Sequence, residues 1–132
     1  MEKKCPYCFG RTVAAGYDET VPRVRKALQE EGFGILSEID VRAKLKEKLQ
    51  VDFRPYIILG ACNPKLAHQA LNAEIDLGTL LPCNVVVYVD DEGRTTVMAM
   101  DPATALGMVA NPALEPIAAE VREKIARALE GL

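Results

Sequence analysis

The fold of this chain is decided at residues 56–64, whose sequence is YIILGACNP. The apolar run from Tyr56 to Ala61 predicts a strand that is buried in the protein. Asn63 can cap a helix, and Pro64 suits the first helical position, where a backbone N–H has no partner within the helix. The segment therefore predicts a core strand that leads directly into a helix.

Similar signals along the rest of the chain predict the other elements. Asp40 can cap a helix, Gly32 can end one, and Asp90-Asp91-Glu92-Gly93 is typical of a hairpin between two β-rich runs. The predicted order is strand, helix, strand, helix, strand, helix, strand, strand, helix, helix. This order indicates an α+β fold: a two-layer α/β sandwich with helices on one face of a small mixed or antiparallel sheet. The last helix is predicted from an apolar stripe at Leu114, Ile117, Val121, Ile125 and Leu129.

Length and composition narrow the class of protein. We expect one domain over residues 1–132, with residues 1–8 as an N-terminal extension that carries Cys-x-x-Cys. No apolar run reaches the roughly 18 residues of a membrane span, and the N-terminus lacks the apolar core of a secretory signal. The net charge of -3 and the lack of tryptophan disfavour nucleic acid as a partner. The expected location is the cytoplasm, where cysteines are usually free thiols, metal ligands or redox groups.

Four motifs in a fixed order resemble a known family. They are residues 32–40 (GFGILSEID), 52–56 (DFRPY), 60–64 (GACNP) and 81–85 (LPCNV). With these motifs the chain resembles the bacterial and archaeal domain-of-unknown-function family 302 over roughly residues 9 to 130. The resemblance implies a compact two-layer α/β domain, often a stand-alone cytoplasmic protein, and a homodimer. It implies no established activity.

Two Cys-Asn pairs, Cys62-Asn63 and Cys83-Asn84, are the strongest candidates for a site. Each pair lies at the junction between an apolar run and a new element, where backbone donors are often free. A helix N-terminus near Cys62 can lower the pKa of its thiol, and two thiols that meet can bind a metal or form a redox pair. We therefore predict a ligand pocket lined by both pairs, at the strand ends beside the helices that follow Asn63 and Asp40. The alternative is structural: buried cysteines, a helix cap at Asn63 and at Asp40, and a turn at Asn84.

Cys5 and Cys8 form a second candidate site, a metal site. The sequence Cys5-Pro6-Tyr7-Cys8 matches the glutaredoxin motif in its letters, but no strand is predicted before Cys5 and a strand rather than a helix is predicted after Cys8. A glutaredoxin fold is therefore not expected. The two thiolates can still supply half of a tetrahedral zinc site, whose other ligands would be Cys62, Cys83 or His68. An inert, exposed pair is the alternative.

Three functions follow from these features. The first is a small binding or sensing domain for a small anion, a thiol metabolite or a soft metal, with zinc or another soft metal ion as the possible cofactor. The second is a thiol-dependent or redox enzyme that uses Cys62. The third is a homodimeric structural or adaptor protein. No catalytic set, phosphate loop or dinucleotide motif is present in the sequence to decide between them.

Overall fold

Six strands form the sheet of this computed structural model, which describes residues 1–132. The strands are β1 (Lys3–Cys5), β2 (Cys8–Val13), β3 (Gly34–Asp40), β4 (Tyr56–Cys62), β5 (Cys83–Val89) and β6 (Thr95–Met100). All neighbouring strands are antiparallel, and their order across the sheet is β1-β2-β6-β5-β4-β3. The β1 and β3 strands are therefore the two edges of one sheet.

Five α-helices complete the fold. They are α1 (Tyr17–Glu30), α2 (Val41–Leu49), α3 (Pro64–Ala73), α4 (Pro102–Gly107) and α5 (Glu115–Glu130), with 3₁₀ turns at Ile75–Leu80 and Pro112–Leu114. Asn63, Asp101 and Asn111 each stand before a proline and accept a hydrogen bond from a backbone N–H of the following turn. None of the helices combines the length and the apolar character needed to cross a bilayer.

The main core lies between the sheet and two long helices. Leu59, Val85 and Val97 are fully buried on one face of the sheet, and they belong to one apolar cluster with residues of α1 and α5. Since side chains alternate along a strand, Val86 and Met98 lie on the opposite face, where they are only partly buried. The predicted α+β sandwich is confirmed, and its sheet is purely antiparallel.

The N-terminal residues differ from the expectation. No strand was expected before Cys5, yet Lys3–Cys5 forms β1, so the N-terminal residues supply one edge of the sheet. The reason is the tight hairpin: β1 pairs with β2 so that Cys5 lies directly opposite Cys8. Three residues carry too weak a local pattern to be recognised without the strand on which they pair.

The second helix contributes little to the core. Its apolar residues Val41, Leu45 and Leu49 have helical spacing, but no residue of α2 is buried. This helix lies beside β3, the edge strand, and β4. Together with β3 and the segment after α2 it leaves five large apolar side chains 40–67% exposed. We call these residues the β3–α2 surface: Leu36, Ile39, Leu49, Val51 and Phe53.

Candidate functional site

The predicted site residues lie in three separate places. In the β3–β4 pair, Gly34 lies opposite Cys62 and Asp40 lies opposite Ile57. Asp40 is therefore at the opposite end of these strands from Cys62. The cause is the antiparallel pairing, which places successive strand-to-helix junctions at alternate ends of the sheet. One pocket cannot hold both helix starts.

Cys62 and Cys83 do converge. Both thiols are free, and the register that pairs Ala61 with Cys83 brings the ends of β4 and β5 together. The two cysteines line one small cavity of about 30 Å³ between the sheet end and the helices. The apolar lining includes Phe33, Leu66, Leu77, Leu106, Ile117 and Val121, and the only amide side chain among the lining residues is that of Asn63.

The side chain of Asn63 serves as the N-terminal cap of α3. Its side-chain oxygen accepts a hydrogen bond from the Leu66 N–H at 3.3 Å, which caps α3. Its amide group also stands close to Gly32, where an added Cβ would come within 3.1 Å of the Asn63 Nδ2 atom. The Asn63 oxygen therefore satisfies one helix donor, and the cavity contains no charged side chain.

The environment of the thiols raises both pKa values. Burial raises the pKa of Cys62 above its usual value. Burial raises the pKa of Cys83 to about 11, and the nearby Cys62 adds to the shift. An apolar cavity disfavours a thiolate because it takes the charge out of water, and here this effect outweighs any stabilisation by the start of α3. A thiol nucleophile is activated by a lowered pKa, so the raised pKa values disfavour this role for either cysteine.

Asn84 lies on the other face of the sheet from Cys83. Cys83 is buried and Asn84 is exposed, because successive residues of a strand point to opposite faces. On that open face Asn84 lines a groove of about 400 Å³ together with Cys5 and Cys8. The structure thus joins Asn84 to the N-terminal cysteines and not to the Cys62–Cys83 cavity.

Cys5 and Cys8 form a disulfide in this structure. In this oxidised state the pair offers no thiolate to a metal, and a zinc site of the reduced pair stays a prediction. No group of three or more His, Cys, Asp or Glu side chains in residues 1–132 has the geometry of a metal site. His68, one of the three predicted additional ligands, is exposed on α3, with its Nε2 atom 3.3 Å from Nδ2 of Asn72.

Asp40 caps α2. Its carboxylate accepts a hydrogen bond from the Ala43 N–H at 2.9 Å, as expected for an aspartate before a helix. It also lines a surface pocket with Tyr17 and Arg42. Burial, and then the charge of Asp40, raise the pKa of the Tyr17 hydroxyl.

The largest cleft was not anticipated from the sequence. It measures about 570 Å³ and lies between α4 and α5. Ala118, Ala119 and Ala126 line it, and their small side chains leave the space open. Arg122 also lines this cleft and forms an ion pair with Asp101: its Nε atom donates to both carboxylate oxygens at 3.2 Å. The alanines of α5 were the only available signal, and alanine is also simply a good helix former.

Comparison with known proteins now identifies the family. The family model described as "Domain of unknown function DUF302" matches residues 9–132. This chain belongs to the DUF302 family. A crystal structure of an uncharacterised conserved DUF302 protein from Bacillus stearothermophilus is 38% identical, covers 94% of this chain and 96% of its own, and superimposes with a TM-score of 0.88. No curated protein matches the chain.

The DUF302 match divides the candidate residues. It begins at Phe9, so the Cys62–Cys83 cavity lies within the DUF302 region while Cys5 and Cys8 precede it. The two cysteine pairs therefore need separate explanations.

Proposed function

We propose that this DUF302 protein is a small binding domain whose ligand is a soft metal ion held between Cys62 and Cys83. One observation carries the proposal: two free cysteines from neighbouring strands line the same small cavity, and the Cys62 thiol is near enough to raise the pKa of Cys83. Thiolates are the protein ligands that soft cations prefer.

The size and polarity of the cavity favour an ion over the other ligands predicted from the sequence. About 30 Å³ is roughly the space of one water molecule, which is too little for a thiol metabolite. A small anion would need positive charge or several donors, but no lysine or arginine lines the cavity and the Asn63 amide is the one amide side chain among its lining residues.

The number of ligands favours a monovalent soft ion such as Cu(I). Zinc in a structural site takes four protein ligands, and here only two side chains of that kind, Cys62 and Cys83, line the cavity. A cuprous ion accepts two thiolates in a linear arrangement. Free thiols also fit a reducing compartment, so a cytoplasmic location is part of this proposal.

Binding must displace protons from both thiols. Since burial raises both pKa values, the thiols are protonated at neutral pH and the metal competes with two protons. The affinity should therefore rise with pH, by about 100-fold per pH unit while both thiols remain protonated in the free protein.

The test is an anaerobic titration with Cu(I) against a competing chelator. The background should be the double variant Cys5→Ser/Cys8→Ser, because a reduced N-terminal pair would bind the same ion. We expect one ion per chain, and loss of that binding when either Cys62→Ser or Cys83→Ser is added. Met108→Ser is the matched control, since Met108 is 71% exposed and does not line the cavity. Binding that survives both cysteine changes would contradict the proposal.

A second function, homodimer formation, is favoured by the β3–α2 surface. Five of the eight large apolar side chains that the chain exposes belong to it, and apolar surface concentrated in one region often marks an interface. We propose that two copies associate through this surface, in line with the dimer that the family resemblance implies.

A further inference from the structure

The Cys5–Cys8 disulfide forms part of the wall of the groove on the open face of the sheet. Cys8 lies opposite Met100, and Gly10 of the same strand lies opposite Met98. On β5, the other neighbour of β6, Val86 also lies opposite Met98. The side chains of Cys8, Met98 and Met100 share the sheet face opposite the main core, and both cysteines line the same groove of about 400 Å³, to which no helix contributes a lining residue.

The hairpin around the disulfide is held by other interactions as well. Two further residue pairs, Lys3 with Gly10 and Lys4 with Phe9, join β1 to β2. The backbone N–H of Asp101 donates to the backbone carbonyl oxygen of Tyr7 at 2.8 Å and connects the turn to the start of α4. A disulfide that closes so short a loop removes little entropy from the unfolded chain, and this one lies before the DUF302 match. A role other than holding the fold therefore suits it.

We propose that Cys5–Cys8 is a thiol–disulfide exchange site whose co-reactant is a low-molecular-weight thiol that carries an apolar or aromatic group. The thiolate of the co-reactant attacks one sulfur of the Cys5–Cys8 bond. That bond breaks, a mixed disulfide forms, and the other cysteine leaves as a thiolate that takes a proton from water. A second molecule of the thiol then attacks the mixed disulfide. Two thiols are oxidised to one disulfide, and the protein disulfide is reduced to two thiols.

The apolar lining of the groove favours a thiol that carries an apolar substituent. No charged side chain lines it, and the Tyr56 and Tyr88 rings stack with their centroids 5.4 Å apart. Met98 and Met100 add flexible thioethers, which adapt to irregular apolar ligands. The volume is within the range of small-molecule sites, and a partner bound there would place its sulfur beside the disulfide.

The experiment compares two thiols as reductants of the complete, oxidised protein: 2-phenylethanethiol and 2-mercaptoethanol. Rates are corrected to the thiolate concentration, and the readout is the gain of two alkylated cysteines in the N-terminal peptide by mass spectrometry. We expect the aromatic thiol to react about tenfold faster, since the groove raises its local concentration.

Substitutions in the groove test whether its lining causes the faster reaction of the aromatic thiol. Met98→Gln keeps the length of the side chain, and Val86→Thr keeps its shape, while each makes the groove more polar. Both should lower the ratio of the two rates toward one. Met108→Gln, outside the groove, should leave the ratio unchanged. Equal rates in the natural protein, an unchanged ratio in both groove variants, or a disulfide that resists both thiols until the protein unfolds would overturn the proposal.

Discussion

Cys83 and Asn84 show how much depends on the direction of one side chain. The two residues are neighbours in the chain, but Cys83 is buried against the helices and Asn84 is exposed on the open face. Cys62 completes the cavity on the Cys83 side. The repeated Cys-Asn pattern therefore marks a place where two thiols meet, and the two asparagines take no common part in it.

The buried thiol of Cys83 should make stability depend on pH. Its pKa is about 11 in the folded protein and near 9 in the unfolded chain. Between these values the unfolded chain loses the proton first, so stability that is present below pH 9 is lost as the pH rises toward 11. We expect Cys83 to contribute a loss of roughly 2 kcal/mol over this range.

Denaturant unfolding at pH 8 and pH 11 measures this effect. Cys83→Ala lowers stability at both pH values because it leaves a cavity. It should also make the free energy of unfolding differ less between pH 8 and pH 11, because the titrating thiol is gone. Val85→Ala is the control, because it also leaves a cavity in the core but removes no titratable group. Identical pH dependence in the natural protein and Cys83→Ala would show that burial does not shift this thiol.

Among the elements, α2 stands apart because it contributes nothing to the core. No residue of it is buried, and the cap at Asp40 is its one side-chain to backbone contact at the N-terminus. A short helix that packs so little depends on its local interactions to an unusual degree. Asp40 is therefore best explained by the stability of α2.

Substitution of Asp40 tests this explanation. Asp40→Ala should cost about 1 kcal/mol, while Asp40→Asn, which keeps a side-chain oxygen, should change little. Hydrogen exchange of the α2 amides should accelerate in the alanine variant and leave the strand amides of β4 and β5 as they were. If α2 exchanges at the same rate in all three proteins, Asp40 does not act as the cap.

In the molecule as a whole, the proposed sites occupy different parts of one sheet. The disulfide lies at the β1 edge, the thiol cavity at the ends of β4 and β5, and the β3–α2 surface at the opposite edge from β1. Phe53 of the β3–α2 surface lies beside Tyr56 of the groove, so a dimer formed through the β3 edge would border the Tyr56 end of the groove and leave the β1 edge and its disulfide accessible. The three proposals are therefore compatible in one assembly.

Association is tested by introducing charge into the β3–α2 surface. The double variant Leu36→Lys/Leu49→Lys should be monomeric, because both side chains are more than 60% exposed and would be buried at the proposed interface. Ile75→Lys is the matched control: Ile75 is 78% exposed and lies outside this surface. Light scattering after size-exclusion chromatography should give a dimer for the natural protein and the control. A monomeric natural protein, or a dimer of the double variant, would contradict the proposed interface.

Local patterns were sufficient for most elements. The segment around Tyr56 to Pro64 predicts both β4 and α3, and the caps at Asp40 and Asn63 are found as expected. The β1 strand was missed, because its three residues become a strand only by pairing with β2. The exposure of α2 could not be read from its sequence, because a helical stripe shows which side is apolar but not whether anything packs against it.

By itself, the sequence determined most of the elements, their caps and the α+β class, since each depends on residues within a few positions of one another. Only the tertiary structure decided which candidate residues share a site. Strand register paired Ala61 with Cys83 and so placed Cys62 next to that pair, side-chain alternation placed Asn84 on the other face, and antiparallel pairing placed Asp40 at the far end. These are contacts between segments distant in the chain, and a linear pattern carries no information about which strands will lie side by side.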